Sequence, residues 1–391
     1  MANTLKLGAG KWATGTDTVL AFNDENNNFK PLPFNFSRAS SATVVNQSGL
    51  IENVGSGEPR IDFLGNTKGA LLLEPSRTNL ITYSEDFSQS AWVKSGTSVV
   101  SGFISPDGTN NAFKLVEGTT NSDHSIYATF TSLPSGIYTI SAYVKKGERH
   151  KCALADRNSG IYVSFDLNNI TVIAQGGMIG NIELLSNGWF KLSATTSNAL
   201  TIIVPQIFIL EDSYTTGLPI FQTYAGDGTS GVYIFGAMLE QGNYATSYIP
   251  TSGSTVTRVA DACNNENLNV DYSGDYTLYL EHETFSLTEY NQFQFRQETS
   301  ISYIFRVGNS INIGTNLYTT ANTIGFNKFA LSVTSSGSYN FYKNGVLLSS
   351  GSGLNANLET IRNDALGMSI KDIKLYNTSL TNAELQALTT I

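Results

Sequence analysis

Three histidines, His124, His150 and His282, are all the imidazole the chain carries, and none stands in a pattern that builds a nucleophile or a metal centre. The spacings GxSxG and HExxH are both absent, and the abundant glycine forms no phosphate-cradling loop. Cys152 and Cys263 sit in ERHKCALAD and VADACNNEN, each without a second cysteine nearby. His150 precedes Cys152 by two residues, and two ligands do not make a zinc site. Both cysteines therefore read as inert, buried thiols, with a disulfide between them as the alternative that no feature of the sequence supports. The strongest catalytic lead is Leu280-Glu281-His282-Glu283. Glutamates at i and i+2 of a strand share a face, and a retaining glycosidase needs two carboxylates about 5 Å apart. Ser286 stands where a further acid would complete the set. Glu281 and Glu283 are accordingly read as a solvated strand face, with glycoside hydrolysis as the minority reading.

Binding chemistry has more candidates. A sugar presents apolar C–H faces and hydroxyl edges, so its site uses an exposed aromatic ring beside polar side chains. Trp92, Trp189, Tyr214 and Tyr224 are the candidates, and roughly one of the four is expected to be exposed, because aromatics on strands are mostly core. Asp107 in SPDGTNN and Asp227 in GDGTSG carry oxygens that a calcium ion could use, but Asp-Gly is first a turn signal. No cofactor is expected. Arg38, Arg60, Arg77 and Arg258 are conspicuous in a chain this poor in charge. They are expected to make structural pairs with carboxylates such as Glu52, Asp62 or Glu74.

These residues need elements to hold them, and the pattern of the chain is strand after strand. Runs such as GIYTISAYVKKG, GIYVSFDL, GWFKLSAT and GVYIFGAMLE are short, rich in aromatic and β-branched residues, and separated by Gly, Asn and Asp. In Tyr138–Val144 the even positions are apolar while Thr139 and Ser141 are polar, which predicts an antiparallel sheet with one face in the core. A second series follows: YTLYLEHETF, SYIFRVG, KFALSVT, YNFYKNGVLLSS and IKDIKLYN. Asn344-Gly345 between two such runs predicts a hairpin. TVVNQSGLIENV predicts two short strands around Ser48-Gly49. The last element is a helix with Thr381 as N-cap, Glu384 closing a capping box, and Leu380 and Leu385 forming a hydrophobic staple. The fold class is all-β, antiparallel β-sandwiches with one short C-terminal helix.

With 391 residues, two or three domains are expected. Charged residues make up 14%, against about 25% in ordinary soluble domains. The net charge is −9 with no basic run, which argues against nucleic acid and an anionic membrane surface as partners. No apolar run approaches the ~20 residues of a membrane span, and MANTLKLGAGKWATG has no apolar core of an export signal.

FSRASSATVVNQSGLIE at 36–52, PRIDF at 59–63 and GALLLEPSRTNLITYSEDFSQSAWVKSG at 69–96 together resemble a module of bacteriophage tail-fibre and other virion surface proteins. AMLEQGNYATSYIPTSGSTVTRVAD at 237–261 is similar to the downstream piece of that module. In the position of Val44 many relatives carry a basic residue, so a charge pair there is expected to be lost. The two pieces bracket what looks like a carbohydrate-binding-module jelly roll, beginning at NLITYSEDF and ending at GVYIFGAMLE. The last third, through FYKNGVLL and IKDIKLYNTSLTNAELQAL, is similar to laminin-G/concanavalin-like sandwiches. The resemblance implies a virion-attachment region at 1–78, a jelly roll at 79–250, a linker at 251–261 and a laminin-G-like domain at 262–391. Pro75 would mark the seam between the first two. It further implies a virion surface protein, of tail or head fibre, made in the host cytoplasm without a signal peptide. Its expected partners are other virion proteins through the N-terminal region, a host surface glycan, and two further copies in a homotrimer. A capsular polysaccharide depolymerase and a purely structural virion component are the two rival readings.

Overall fold

The computed structural model describes residues 5–217, 219, 222–265, 274–288, 292–297, 303–314, 317–354, 357–363 and 367–391. Within them every extended pairing between named strands is antiparallel, and the helix Asn382–Thr389 is the only α-helix. The all-β sandwich expectation holds. The chain divides into two compact units, one of residues 1–41, 54–76 and 259–391, the other of 42–53 and 77–258.

The first unit has a long sheet running Ala262–Asn264, Asn28–Ser37, Thr18–Asn23, Leu5–Gly8, Met368–Tyr376, Tyr276–Thr284, Gly325–Val333, Tyr339–Lys343 and Val346–Gly351. A five-stranded sheet, from Tyr318–Ala321 to Thr360–Asn363, supplies the other layer. One core joins them, and Leu7, Val19, Phe36, Leu280, Phe295, Phe305, Phe329 and Ile373 are buried in it. Each such side chain contributes about 1.5–3 kcal/mol on leaving water. Residues 1–78, expected as a separate attachment region, are not one. Leu5–Gly8 pairs along Asp372–Leu375, and Ala70–Leu73 pairs with Met368–Ile370. Strands this short bury too little apolar surface to stand alone, so they complete a sheet built mainly from the other end of the chain.

At the hairpin tip, Asn344 and Gly345 have φ of 49° and 81°, the left-handed pair that a two-residue turn requires. The final helix is capped as its sequence predicts. Thr381 accepts from the Glu384 amide, and Glu384 reaches back to the Thr381 amide at 2.8 Å. Leu380 and Leu385 are buried together with Tyr279, Tyr342 and Tyr376.

The second unit is a sandwich of two six-stranded sheets. One runs Val93–Ser95, His124–Tyr127, Pro205–Leu210, Lys151–Asp156, Ile161–Asp166, Thr171–Gly176; the other runs Thr97–Phe103, Ala112–Glu117, Gly231–Gln241, Tyr138–Lys146, Trp189–Thr196, Met178–Leu184. Three expectations need correction here. NLITYSEDF is not the first strand. Only Arg77–Asn79 is extended, and it pairs with Val256–Arg258. Beyond it the Asn79 side chain captures four backbone groups, those of Ile81, Leu239, Ala237 and Ile249, and the following residues make single backbone bonds and one isolated bridge, Tyr83 with Ser252, rather than a continuous strand. The segment 251–261 is not a free linker, because Arg258 and Asp261 are buried. In Tyr138–Lys146 both faces are buried through Val144. The Thr139 hydroxyl is satisfied by Thr195 and the Gly242 carbonyl, at 2.8 and 2.9 Å.

The arginines of the opening segments pair as expected, but mostly with other carboxylates. Arg38 lies 3.1 Å from Asp261, and Arg60 bridges Glu74 at 2.7 Å and Asp261. All four side chains are sequestered from water. Burial works against the Arg60 charge, yet Asp261 and Glu74 raise its pKa above the usual guanidinium value. In the second unit, buried Glu240 accepts from the Thr246 amide and hydroxyl and lies 3.8 Å from Arg77. Burial lifts the Glu240 pKa, with Arg258 and Arg77 opposing. Arg258 itself donates to the Ser247 hydroxyl at 2.9 Å. Glu52 accepts from Asn46, and Asp62 accepts from the Leu64 amide. Val44 is buried, where a basic side chain would need a partner of its own.

Two outcomes follow from this packing. Asp261→Asn leaves Arg38 and Arg60 under-neutralised in a dry site and lowers stability by about 3–5 kcal/mol; a denaturant titration reads it. His282 is fully buried, stacked on Phe329 at 5.4 Å, and burial depresses its pKa to about 3 from 6.5. Lys343 and Lys371 add to that shift. The folded state thus refuses a proton that the unfolded chain accepts. The stability this contributes is complete above pH 6.5 and is lost as pH falls towards 3. The melting temperature of His282→Phe falls less over that window than that of the native chain.

Candidate functional site

The four aromatic candidates separate sharply. Trp92 is 3% exposed, Trp189 0% and Tyr214 4%. Trp92 packs on Phe87 and donates its indole N–H to the Tyr83 carbonyl. Tyr214 lies on Ala153, Phe208 and Leu210 and donates to the Gly217 carbonyl. None of these three offers a ring to a ligand. Tyr224 alone is half-buried, in the stretch between Pro205–Leu210 and Gly231–Gln241.

Tyr224 belongs to a charged cluster built by three loops of the second unit. Glu117 ends the strand Ala112–Glu117 with its carboxylate buried. Arg149, in the turn after Tyr138–Lys146, grips it with two N–H groups at 2.9 and 2.8 Å. The Tyr224 hydroxyl donates to the same carboxylate at 2.8 Å and the Asp227 amide at 3.0 Å. Burial alone would raise the Glu117 pKa, but the bonds from Arg149, Asp227 and Tyr224 bring it below the usual value. Burial and the Glu117 charge push the Tyr224 phenol up, so it stays a neutral donor. Arg149 lies 5.6 Å from the Tyr224 ring centre and the His124 ring 4.3 Å away. The ring is therefore a wall of the cluster rather than an open platform.

The outer edge faces water. Asp212 is 38% exposed and receives Arg149 at 3.7 Å and His150 Nδ1 at 3.0 Å; His150 is 24% exposed. Lys151 donates to the carbonyls of Asp212 and Tyr214 at 2.7 Å, fixing the loop from below. The result is a carboxylate, an imidazole and a guanidinium edge held by a rigid base. The sequence held no signal for Glu117, Arg149 or Asp212, because their partners lie far off along the chain.

The proposed acids are occupied. Glu281 accepts the Tyr279 hydroxyl at 2.8 Å and sits directly across from Asp372. Asp372, raised by burial, is held by Lys374 at 2.6 Å. Glu283 pairs with Lys371 at 3.4 Å. Ser286 is buried and adds no acid.

The calcium candidates are turn residues. Asp227 accepts from the Thr229 amide and hydroxyl and the Ser230 amide and hydroxyl, and those bonds hold its pKa low. Asp107 is used the same way by Ser105 and Thr109. Both carboxylates are spent on their own loops. Among the described residues no three of His, Cys, Asp and Glu gather to hold a metal. Cys152 and Cys263 are free and buried, and burial pushes the Cys263 thiol up to about 12.

No family model matches the chain, and no curated protein sequence matches it. Among solved structures it is similar to domains LG4-5 of the mouse laminin alpha1 chain, at 11% identity over 68% of this chain and 88% of that one, with a TM-score of 0.22. It is also similar to Trypanosoma rangeli sialidase in complex with sialic acid, at 10% identity over 95% and 81%, TM-score 0.25. A mutant of that sialidase displaying trans-sialidase activity matches at 7% identity over 97% of both chains, TM-score 0.27. Likeness at this level adds nothing to what the sheets themselves establish.

Glu117→Gln removes the charge that organises the cluster. It is expected to cost about 1–3 kcal/mol of stability and to expose the Tyr224 ring, read as a rise in its solvent quenching.

Proposed function

We propose that the chain is a non-catalytic virion surface protein whose second unit binds a host surface glycan at the Arg149–His150–Asp212 edge. Placement on a virion rests on the resemblance of 36–52, 59–63, 69–96 and 237–261 to phage tail-fibre modules. A homotrimer and attachment to other virion proteins come with that resemblance. The observation that carries the binding reading is the state of the charged groups. Glu117 and Tyr224 are consumed in holding Arg149 still, while Asp212 and His150, paired with each other, keep 38% and 24% of their side chains open to water. Groups fixed in this way lose little side-chain freedom on meeting a hydroxyl-rich ligand.

Catalysis is disfavoured on the same grounds. Glu281, Glu283 and Asp372 each have a hydroxyl or an ammonium partner. A general acid and a nucleophile must face a common substrate atom; these acids are committed to neighbours on the same sheet.

The test is glycan-array binding by the full chain and by Asp212→Ala with His150→Ala. Binding should fall about tenfold or more, as when buried or fixed polar partners are lost, with an unchanged melting temperature. A blank array for the native chain would favour the purely structural reading. Release of reducing ends from capsule, abolished by Glu281→Gln, would favour the depolymerase.

A further inference from the structure

Asn-Gly occurs twice in the chain, at Asn187-Gly188 and Asn344-Gly345. Each pair turns a hairpin with both residues left-handed, φ being 65° and 75° in the first and 49° and 81° in the second. The residue that makes such a turn easy also makes it chemically vulnerable. Glycine has no side chain to obstruct its own backbone nitrogen as that nitrogen approaches the preceding carboxamide.

The two sites differ in what holds them. Asn344 Oδ1 accepts from the Lys328 amide at 2.8 Å, and its Nδ2 donates to Asn327 Oδ1 at 3.3 Å. The Gly345 nitrogen donates to the Thr389 hydroxyl at 3.1 Å. Electrophile, leaving group and nucleophile are all tied. Ser186, Asn187 and Gly188 are exposed, and the Asn187 carboxamide takes no hydrogen bond from a described residue.

We propose that Asn187 is a self-modification site, deamidating through a cyclic imide in the folded protein, and that Asn344 is protected. The Gly188 backbone nitrogen gives its proton to solvent base and attacks Asn187 Cγ. The bond from Cγ to the side-chain nitrogen breaks, and that nitrogen leaves as ammonia after taking up a proton. Water then adds to either carbonyl of the five-membered imide, giving aspartate or isoaspartate. No oxidant, reductant or cofactor takes part. The attack needs rotation away from the ψ of 16° that Asn187 holds, so the turn must open locally.

The tip is not an idle one. Ser186 donates to the Ser48 carbonyl at 2.9 Å, and a side chain at Gly49 would strike Ser186. Isoaspartate adds a backbone methylene to a turn that sets the register Leu184 to Phe190. It also replaces a neutral amide with a negative charge. Both changes loosen the contact between this hairpin and the Ser48-Gly49 turn.

The experiment is timed incubation of the native full chain at mildly alkaline pH, with peptide mass mapping and isoaspartate detection at both sites. A parallel sample is fully denatured. In the denatured chain both sites should convert at similar rates, while in the native chain Asn187 converts about tenfold faster than Asn344, as local protection predicts. Asn187→Gly, which suits the left-handed position, removes the fast conversion. Equal rates at the two sites in the native chain would overturn the proposal. So would the absence of conversion at Asn187 over a period in which the denatured chain converts.

Discussion

The fold depends on charge neutralised inside protein. Charged residues are 14% of this chain, and several of the most deeply buried occur in oppositely charged sets. Arg38, Arg60, Glu74 and Asp261 form one set in the first unit; Glu240 with Arg77 and Arg258 forms another in the second. A lone buried ion costs several kcal/mol and a matched set recovers most of that. The consequence is specificity of assembly. Asp261 meets Arg60 and Arg38 only when residues 201 and 223 positions away along the chain arrive together. The N-terminal strands are thereby committed to the sheet completed by the C-terminal third.

The same economy of charge shapes the turns. Where an ordinary protein would leave carboxylates solvated, here they accept from neighbouring backbone and hydroxyl groups. Asp107, Asp156, Asp166 and Asp227 each stabilise a turn. Ser and Thr are the main donors to Asp107 and Asp227, and Asn168 and Asn169 those to Asp166. Hydrogen-bonding edges of this kind are what the proposed recognition of a hydroxyl-rich ligand would draw on.

Local information in the sequence was readable where it is carried by neighbours. Alternation located most of the long strands, Asn344-Gly345 located its hairpin, and Thr381 with Glu384 located the helix start. What was not readable is set by distance along the chain. Leu5–Gly8 looks like an isolated apolar scrap until Met368–Tyr376 lies beside it. NLITYSEDF has a strand's composition, yet Asn79 takes the backbone groups that a strand partner would use. The aromatic candidates were three core residues and one wall of a cluster, because ring exposure depends on which loops fold over a sheet. Arg149 and Asp212 gave no signal for the same reason.

The central claim is recognition without cleavage. Its most direct test is a purified polysaccharide from the host surface, incubated with excess full-length protein and followed for both retention on the protein and chain length. The account predicts retention that Asp212→Ala with His150→Ala weakens, and a chain-length distribution that does not change with time. Progressive shortening of the polysaccharide by the native chain would contradict it.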